Sequence, residues 1–170
     1  MAASKAEKQL GNIIAKIKGT LKEAIRRESL MPTGEFIASI IAKRTRLGYG
    51  VDRNGGQKSP LKSLALSTIK QRTALRKSGK LSSFTRPGRS NLTATGQLLD
   101  SLKVTYLKDG EINIAPDGRR DDGKKNREVA GYQEEAGRIF MRLSQPEFNQ
   151  ALRFYRKTFG DLLKKKRVIT

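Results

Sequence analysis

The sequence predicts an α+β chain: a small antiparallel sheet with a hairpin, backed by helices and preceded by an N-terminal helical pair and an extended basic arm. Three observations predict it. Apolar residues recur at three- and four-residue steps near both ends of the chain, as on one face of a helix. In the centre, Val104, Tyr106, Ile112 and Ile114 alternate with polar residues around Lys108-Asp109-Gly110, the pattern of two half-buried strands and their turn. Between these regions, Arg53 to Leu99 holds no acidic residue at all.

In chain order, Ser4 and Glu7 form a capping-box pair, so a helix is expected to begin there. Leu10, Ile13, Ile14, Ile17, Leu21 and Ile25 then make one apolar stripe, opposite Lys8, Lys16, Lys18, Lys22 and Arg26. Such a stripe faces either the chain's own core or a neighbouring subunit. Pro32 and Gly34 interrupt the pattern before Phe36, Ile37, Ile40 and Ile41 restore it and Gly48 stops it, which predicts two helices within 1–47.

The segment 48–91 reads as a glycine-rich linker and basic arm. GYGVDRNGGQKSP is loop-like, a short helix follows Ser67 and ends at Gly79, and the polar stretch from Lys80 to Asn91 has no periodicity. Residues 92–170 read as the α+β core. Thr95 can cap a helix through Leu98, Leu99 and Leu102, and the hairpin is expected over 103–115. Pro116 to Arg127 is a charged loop tip; Val129, Ala130 and Tyr132 suggest a short helix, and Arg138 to Leu143 a third strand. Ser144 with Glu147 is a second capping box. It opens a last helix over 145–165 with Phe148, Ala151, Leu152, Tyr155, Phe159, Leu162 and Leu163 on one face and lysines at its negative end.

Composition narrows the function. Lys+Arg of 36 against Asp+Glu of 16 gives a formal charge of +20, so the chain repels itself until a polyanion or acidic partner neutralises it. Only 36% of residues are apolar and the mean hydropathy is -0.60, which predicts a modest core. Without cysteine or histidine, disulfides, thiolate chemistry, Cys/His zinc sites and imidazole catalysis are excluded. No apolar run approaches the roughly 20 residues that span a bilayer, and the N-terminus lacks a signal-peptide core; no membrane association is expected, and a cytoplasm is the expected location.

Two catalytic look-alikes fail on chemistry. The glycines before Lys58-Ser59 suggest a phosphate loop, but Gln57 stands where glycine must precede the lysine. Asp117, Asp121 and Asp122 with Lys124 could suggest a metal-dependent nuclease, yet they lie among glycines and arginines where nothing fixes their separation. No enzyme activity, metal or cofactor is therefore expected.

What remains is contact by charge. Arg53, Lys58, Lys62, Lys70, Arg72, Arg76, Lys77, Lys80, Arg86 and Arg89 are the candidate cations for DNA or an acidic partner, against the alternative of a merely solvated surface. Arg119, Arg120, Lys124, Lys125 and Arg127 form a candidate assembly loop. Phe84 is the one aromatic in the acid-free segment, too few for a single-strand stacking platform, so any DNA contact should follow backbone charge.

Three blocks carry a resemblance. They are Ser59-Pro60-Leu61 with Leu66-Ser67-Thr68-Ile69-Lys70-Gln71-Arg72; Asn91-Leu92-Thr93-Ala94-Thr95-Gly96-Gln97-Leu98-Leu99-Asp100-Ser101-Leu102; and Gly131-Tyr132-Gln133-Glu134 with Gly137-Arg138-Ile139-Phe140-Met141-Arg142-Leu143-Ser144. In order and spacing, these resemble the neck and tail-completion proteins, also called virion morphogenesis proteins, of long-tailed bacteriophages. Glu134-Glu135-Ala136 departs from the pattern, where the family often has an aromatic residue near the glycine. The resemblance implies a virion protein at the head–tail junction, a homo-oligomeric ring of six or twelve copies around the DNA channel. It implies head-closure, tail-terminator or portal-adaptor proteins as neighbours and genomic DNA as a further contact. The alternative reading is a sequence-nonspecific basic DNA-binding protein.

Overall fold

The computed structural model describes residues 5–52, 54, 56–81, 86–88, 92, 96–107 and 110–165, with side chains from residue 23 onward within these ranges. The Ser4–Glu7 cap, the Thr95 cap, the Lys108-Asp109 turn and the stripe side chains from Leu10 to Leu21 lie outside the described residues. Among those described, the order is α1 (Lys5–Arg46), β1 (Tyr49–Val51), β2 (Lys58–Pro60), α2 (Leu66–Lys77), α3 (Gln97–Asp100), β3 (Leu102–Leu107), β4 (Glu111–Pro116), α4 (Asn126–Glu135) and α5 (Gln145–Lys165). The fold is α+β, with two small antiparallel two-stranded sheets against helices.

The expected helical pair over 1–47 is one helix. Pro32 sits inside α1, where the missing N–H and the ring's steric demand cost about 3 kcal/mol in an unsupported helix. Tertiary packing offsets that cost, because α1 lies against β1, β3, β4 and α5 on both sides of the proline. The buried hydroxyls of Ser29 and Thr33 also bond back into the turns around it, to the carbonyls of Arg26 at 2.9 Å and Ser29 at 2.8 Å. Gly34 is a contact point rather than a breaker: a Cβ there would meet Val104 Cγ1 at 2.4 Å and Ile112 Cδ1 at 3.0 Å. The hairpin thus approaches the helix backbone where α1 has no side chain.

β3 and β4 form the expected hairpin, with Val104 opposite Ile114 and Tyr106 opposite Ile112. The alternation sorts the faces: Leu102, Val104 and Tyr106 turn towards α1, while Lys103, Thr105 and Leu107 are exposed. Phe36 of α1 stacks on Phe154 of α5 with centroids 4.5 Å apart. The core between these elements holds Ile41, Leu98, Leu99, Ala130 and Phe140, with Ile37, Leu92, Leu102, Val129 and Leu143 packed around it.

Two more expectations are corrected. The segment 48–60, read as a linker, is the hairpin β1–β2, with Val51 and then Leu61 buried. It is pinned because the Val51 amide donates to the Ile139 carbonyl at 2.9 Å, and a Cβ on Gly50 would stand 2.2 Å from that same oxygen. The third strand over 138–143 does not form. The carbonyls of Phe140 and Arg142, which a ladder would use, accept instead from the Arg44 guanidinium at 2.5 and 2.8 Å. Arg44 is nearly enclosed and also donates to Glu147 Oε2 at 2.5 Å. The same carboxylate oxygen takes the Ser144 amide and hydroxyl, both at 2.8 Å, which opens α5 where the capping pair predicts it. Burial pulls the Arg44 pKa down, and Glu147 pushes it back up.

Candidate functional site

The ten cations of the acid-free segment divide by position. Arg53 and Arg89 lie outside the described residues. Lys70, Arg76 and Lys77 on α2, with Lys80 beyond it and Lys62 and Arg86 in loops, are exposed. Lys58 is exposed but seats its ammonium 4.1 Å from the Tyr49 ring centroid.

Arg72 contradicts the expectation of an outward-facing cation, being only 6% exposed. It is also the one buried residue of α2, a helix that packs extensively along no other element. Thr68, Ile69 and Leu75 of the same helix are half-buried. The position of Arg72, i+4 from Thr68, places both on the inward face of the helix.

Both line a recess of about 190 Å³ with Leu64, Leu92, Leu98, Arg120, Val129, Gln133 and Arg138. Three guanidinium-bearing side chains thus share one small pocket whose lining contains no carboxylate. Desolvation lowers the Arg72 pKa, and the positive charge of Arg138 lowers it further. Arg138 donates to Gln133 Oε1 at 3.3 Å and to the Ser63 carbonyl at 3.2 Å, yet its Nε is buried with no hydrogen-bond acceptor. Arg120 Nε is likewise buried without an acceptor in bonding range, the nearest opposite charge being Asp122 Oδ1 at 3.5 Å.

The charged loop splits in the same way. Arg120 turns inward to this recess, whereas Arg119, Lys125 and Arg127 join Lys103, Thr105 and Asn113 along a groove of about 420 Å³ on the outer face of β3–β4. Lys124 is exposed beyond it. The loop has its own order: Arg119 bridges to Lys125, and the Asn126 amide and side chain bond to the carbonyls of Gly118 and Asp117 at 3.0 and 2.8 Å. Asp117 sits in the groove 3.0 Å from Lys103 Nζ. Hydrogen bonding from that ammonium, and then from the Gly118 amide, holds its pKa below the usual carboxylate value.

The three aspartates do not gather into a cluster. Asp117 serves Lys103, Asp121 accepts from the Gln97 side chain, and Asp122 takes Arg120 and the Lys124 amide.

Sequence reasoning missed Arg44, Lys103, Gln133 and Arg138. Arg44 had a signal, since it follows Ile37 and Ile41 at helical spacing and so falls on the buried stripe. Lys103 had none, and Gln133 and Arg138 belong to the third block without any local mark of a site, because what makes them notable is the arrival of distant cations. Compared with protein-family models, curated proteins and solved structures, the chain matches none. No helix among the described residues is long and apolar enough to cross a membrane.

Proposed function

We propose that the chain is a structural subunit of a bacteriophage neck, working without catalysis as a ring of six or twelve copies around the DNA channel. It would assemble in the host cytoplasm, remain in the virion and meet head-closure, tail-terminator or portal-adaptor proteins. One observation carries the reading: the three sequence blocks behind the resemblance meet in space. Thr68 and Arg72 from the first, Leu92 and Leu98 from the second, and Gln133 and Arg138 from the third line a single recess. Leu98, Leu99 and Phe140 from the same blocks form the adjoining core. The blocks therefore act as one structural unit, as a shared fold requires.

The surface supports subunit contacts. Of the seven α5 stripe residues only Ala151 is buried, and Phe148, Tyr132 and Leu66 are 51%, 63% and 78% exposed. A neighbouring subunit packed on α5 would cover its half-exposed stripe. The exposed cations of α2 supply charge for channel DNA or an acidic ring.

Reconstruction of particles from a phage carrying this gene tests the proposal. A symmetric ring of this chain between portal and tail is the expected result, and its absence from particles, or one copy per neck, would refute it. Replacing Lys70, Arg76, Lys77 and Lys80 together by Gln should leave the subunit folded and stop head-to-tail joining or DNA retention. Normal infectious particles from that variant would remove the role assigned to the basic helix. Contacts to DNA phosphates weaken steeply with salt, so the salt response of joining identifies the partner.

A further inference from the structure

The charged loop walls one side of the outer face of β3–β4, and the groove of about 420 Å³ between them is lined by four cations, Lys103, Arg119, Lys125 and Arg127, against one carboxylate, Asp117. Two of the four have acidic partners: Lys103 lies 3.0 Å from Asp117 and Lys125 lies 3.6 Å from Glu128. All four of these paired side chains are more than half exposed, so water screens both pairs and each contributes little. With both pairs counted, Arg119 and Arg127 still leave the groove positive. The wall is ordered in advance, because Arg119 bridges to Lys125 and donates to the Gly123 carbonyl at 3.0 Å. A surface already in place loses less freedom when a ligand settles on it.

Acceptors sit among the cations. Thr105 from β3 and Asn113 from β4 add a hydroxyl and an amide to the floor. The Asp117 oxygens accept from Lys103 Nζ at 3.0 Å and from the Gly118 amide at 2.8 Å, and a carboxylate has lone pairs beyond those two bonds. Cations mixed with acceptors fit a ligand that carries negative charge and hydrogen-bond donors together. An acidic peptide does so, through its carboxylates and main-chain N–H groups. The sugar-phosphate backbone of DNA offers acceptors alone and would set its charge against Asp117. No aromatic side chain lines the groove to stack the bases of a single strand. A second copy of this chain is disfavoured, because each carries a formal charge of +20.

We propose that the groove over the outer face of β3–β4 docks an extended acidic segment of a different protein, with Arg119 and Arg127 pairing to its carboxylates and Asp117 accepting from its main-chain amides. Lys103 and Thr105 stand two residues apart on the exposed face of β3, and Asn113 and Ala115 do the same on β4. A peptide laid over the sheet in extended form alternates with that same period of two, so its side chains meet these positions in turn. Recognition of acidic segments by clustered arginines is a recurrent mode of peptide binding. The site lies apart from the basic surface of α2, and the inference stands or falls separately from any role in a virion.

Amide chemical shifts of the full chain, followed by nitrogen–proton NMR at constant ionic strength, test the proposal with an end-blocked octapeptide of alternating glutamate and threonine as probe. Shifts should concentrate at 103–105, 113–119 and 125–127. Arg119→Gln combined with Arg127→Gln should weaken binding by about three- to tenfold, on the scale of two exposed ion pairs. Lys70→Gln combined with Lys77→Gln removes the same charge from α2 and should leave binding unchanged. Because Arg119 also bonds within its loop, Arg127→Gln alone is the second variant, expected to weaken binding by about two- to threefold. Peptide shifts that miss the groove or centre on α2 would overturn the proposal, as would an equal loss of affinity in the α2 variant. A short DNA duplex at matched charge should shift the groove residues less than the peptide does; a stronger response to the duplex would assign the groove to DNA instead.

Discussion

The same substitution at two glycines of one helix should have opposite effects. Gly19 and Gly34 both lie in α1. Alanine is favoured over glycine in a helix interior by about 1 kcal/mol. At Gly19 a Cβ would meet nothing within 4 Å, so Gly19→Ala should gain up to that amount. At Gly34 the same atom would stand 2.4 Å from Val104 Cγ1, against the 3.4–4 Å of ordinary contact, and 3.0 Å from Ile112 Cδ1. Val104 cannot turn aside cheaply, because its Cγ2 is already 3.4 Å away and its branched side chain has few rotamers. Overpacking costs about 1–3 kcal/mol, and the rigid neighbour puts this case in the upper half of that range. After the helical gain, Gly34→Ala should lose about 1–2 kcal/mol. For a chain of this size that lowers Tm by about 2–8 °C, while Gly19→Ala raises it by up to about 4 °C. Urea unfolding followed by circular dichroism measures both. Val104→Ala in the Gly34→Ala background should recover part of the loss, since touching residues are not additive. If Gly34→Ala stabilises as much as Gly19→Ala, the close approach of the hairpin to α1 is wrong.

Arg44→Met should cost about 3–5 kcal/mol, because it leaves the Glu147 carboxylate without its cation and the carbonyls of Phe140 and Arg142 without a donor; a loss under about 1 kcal/mol in urea titration would contradict the role given to that guanidinium. Tyr106 donates its hydroxyl to Glu23, and this bond, with some desolvation, raises the phenol pKa above 10.0. A raised folded-state pKa means that the link between hairpin and α1 contributes fully below pH of about 10 and is lost as pH rises through the higher folded value. Phenolate absorbance should therefore show one tyrosine ionising late, and both Tyr106→Phe and Glu23→Gln should remove that late component. A titration unchanged by either substitution would exclude the link.

Local signals were sufficient where an element is defined by its own residues. The stripe and the Ser144–Glu147 pair place α5 at Gln145–Lys165, and period-two alternation places β3–β4 with its inner and outer faces correctly sorted. The basic surface of α2 was legible as well, because exposure is the default for lysine and arginine. Tertiary contacts decided the rest. Pro32 and Gly34 read as breakers in isolation, yet the helix continues because four other elements pack against it and the hairpin fits over the missing side chain. Residues 138–143 carry a strand-like pattern, but a distant guanidinium takes the carbonyls a neighbouring strand would need. Arg72 is chemically indistinguishable from Arg76 in the sequence. Only the arrival of Arg120 and Arg138 beside it, from segments far along the chain, turns one into a buried group and leaves the other in water. The sequence by itself determined α5, the β3–β4 hairpin and how much charge each segment carries, since periodicity, capping and composition are local. Which cations face inward together was decided by the tertiary structure, because that depends on long-range packing that no local pattern encodes.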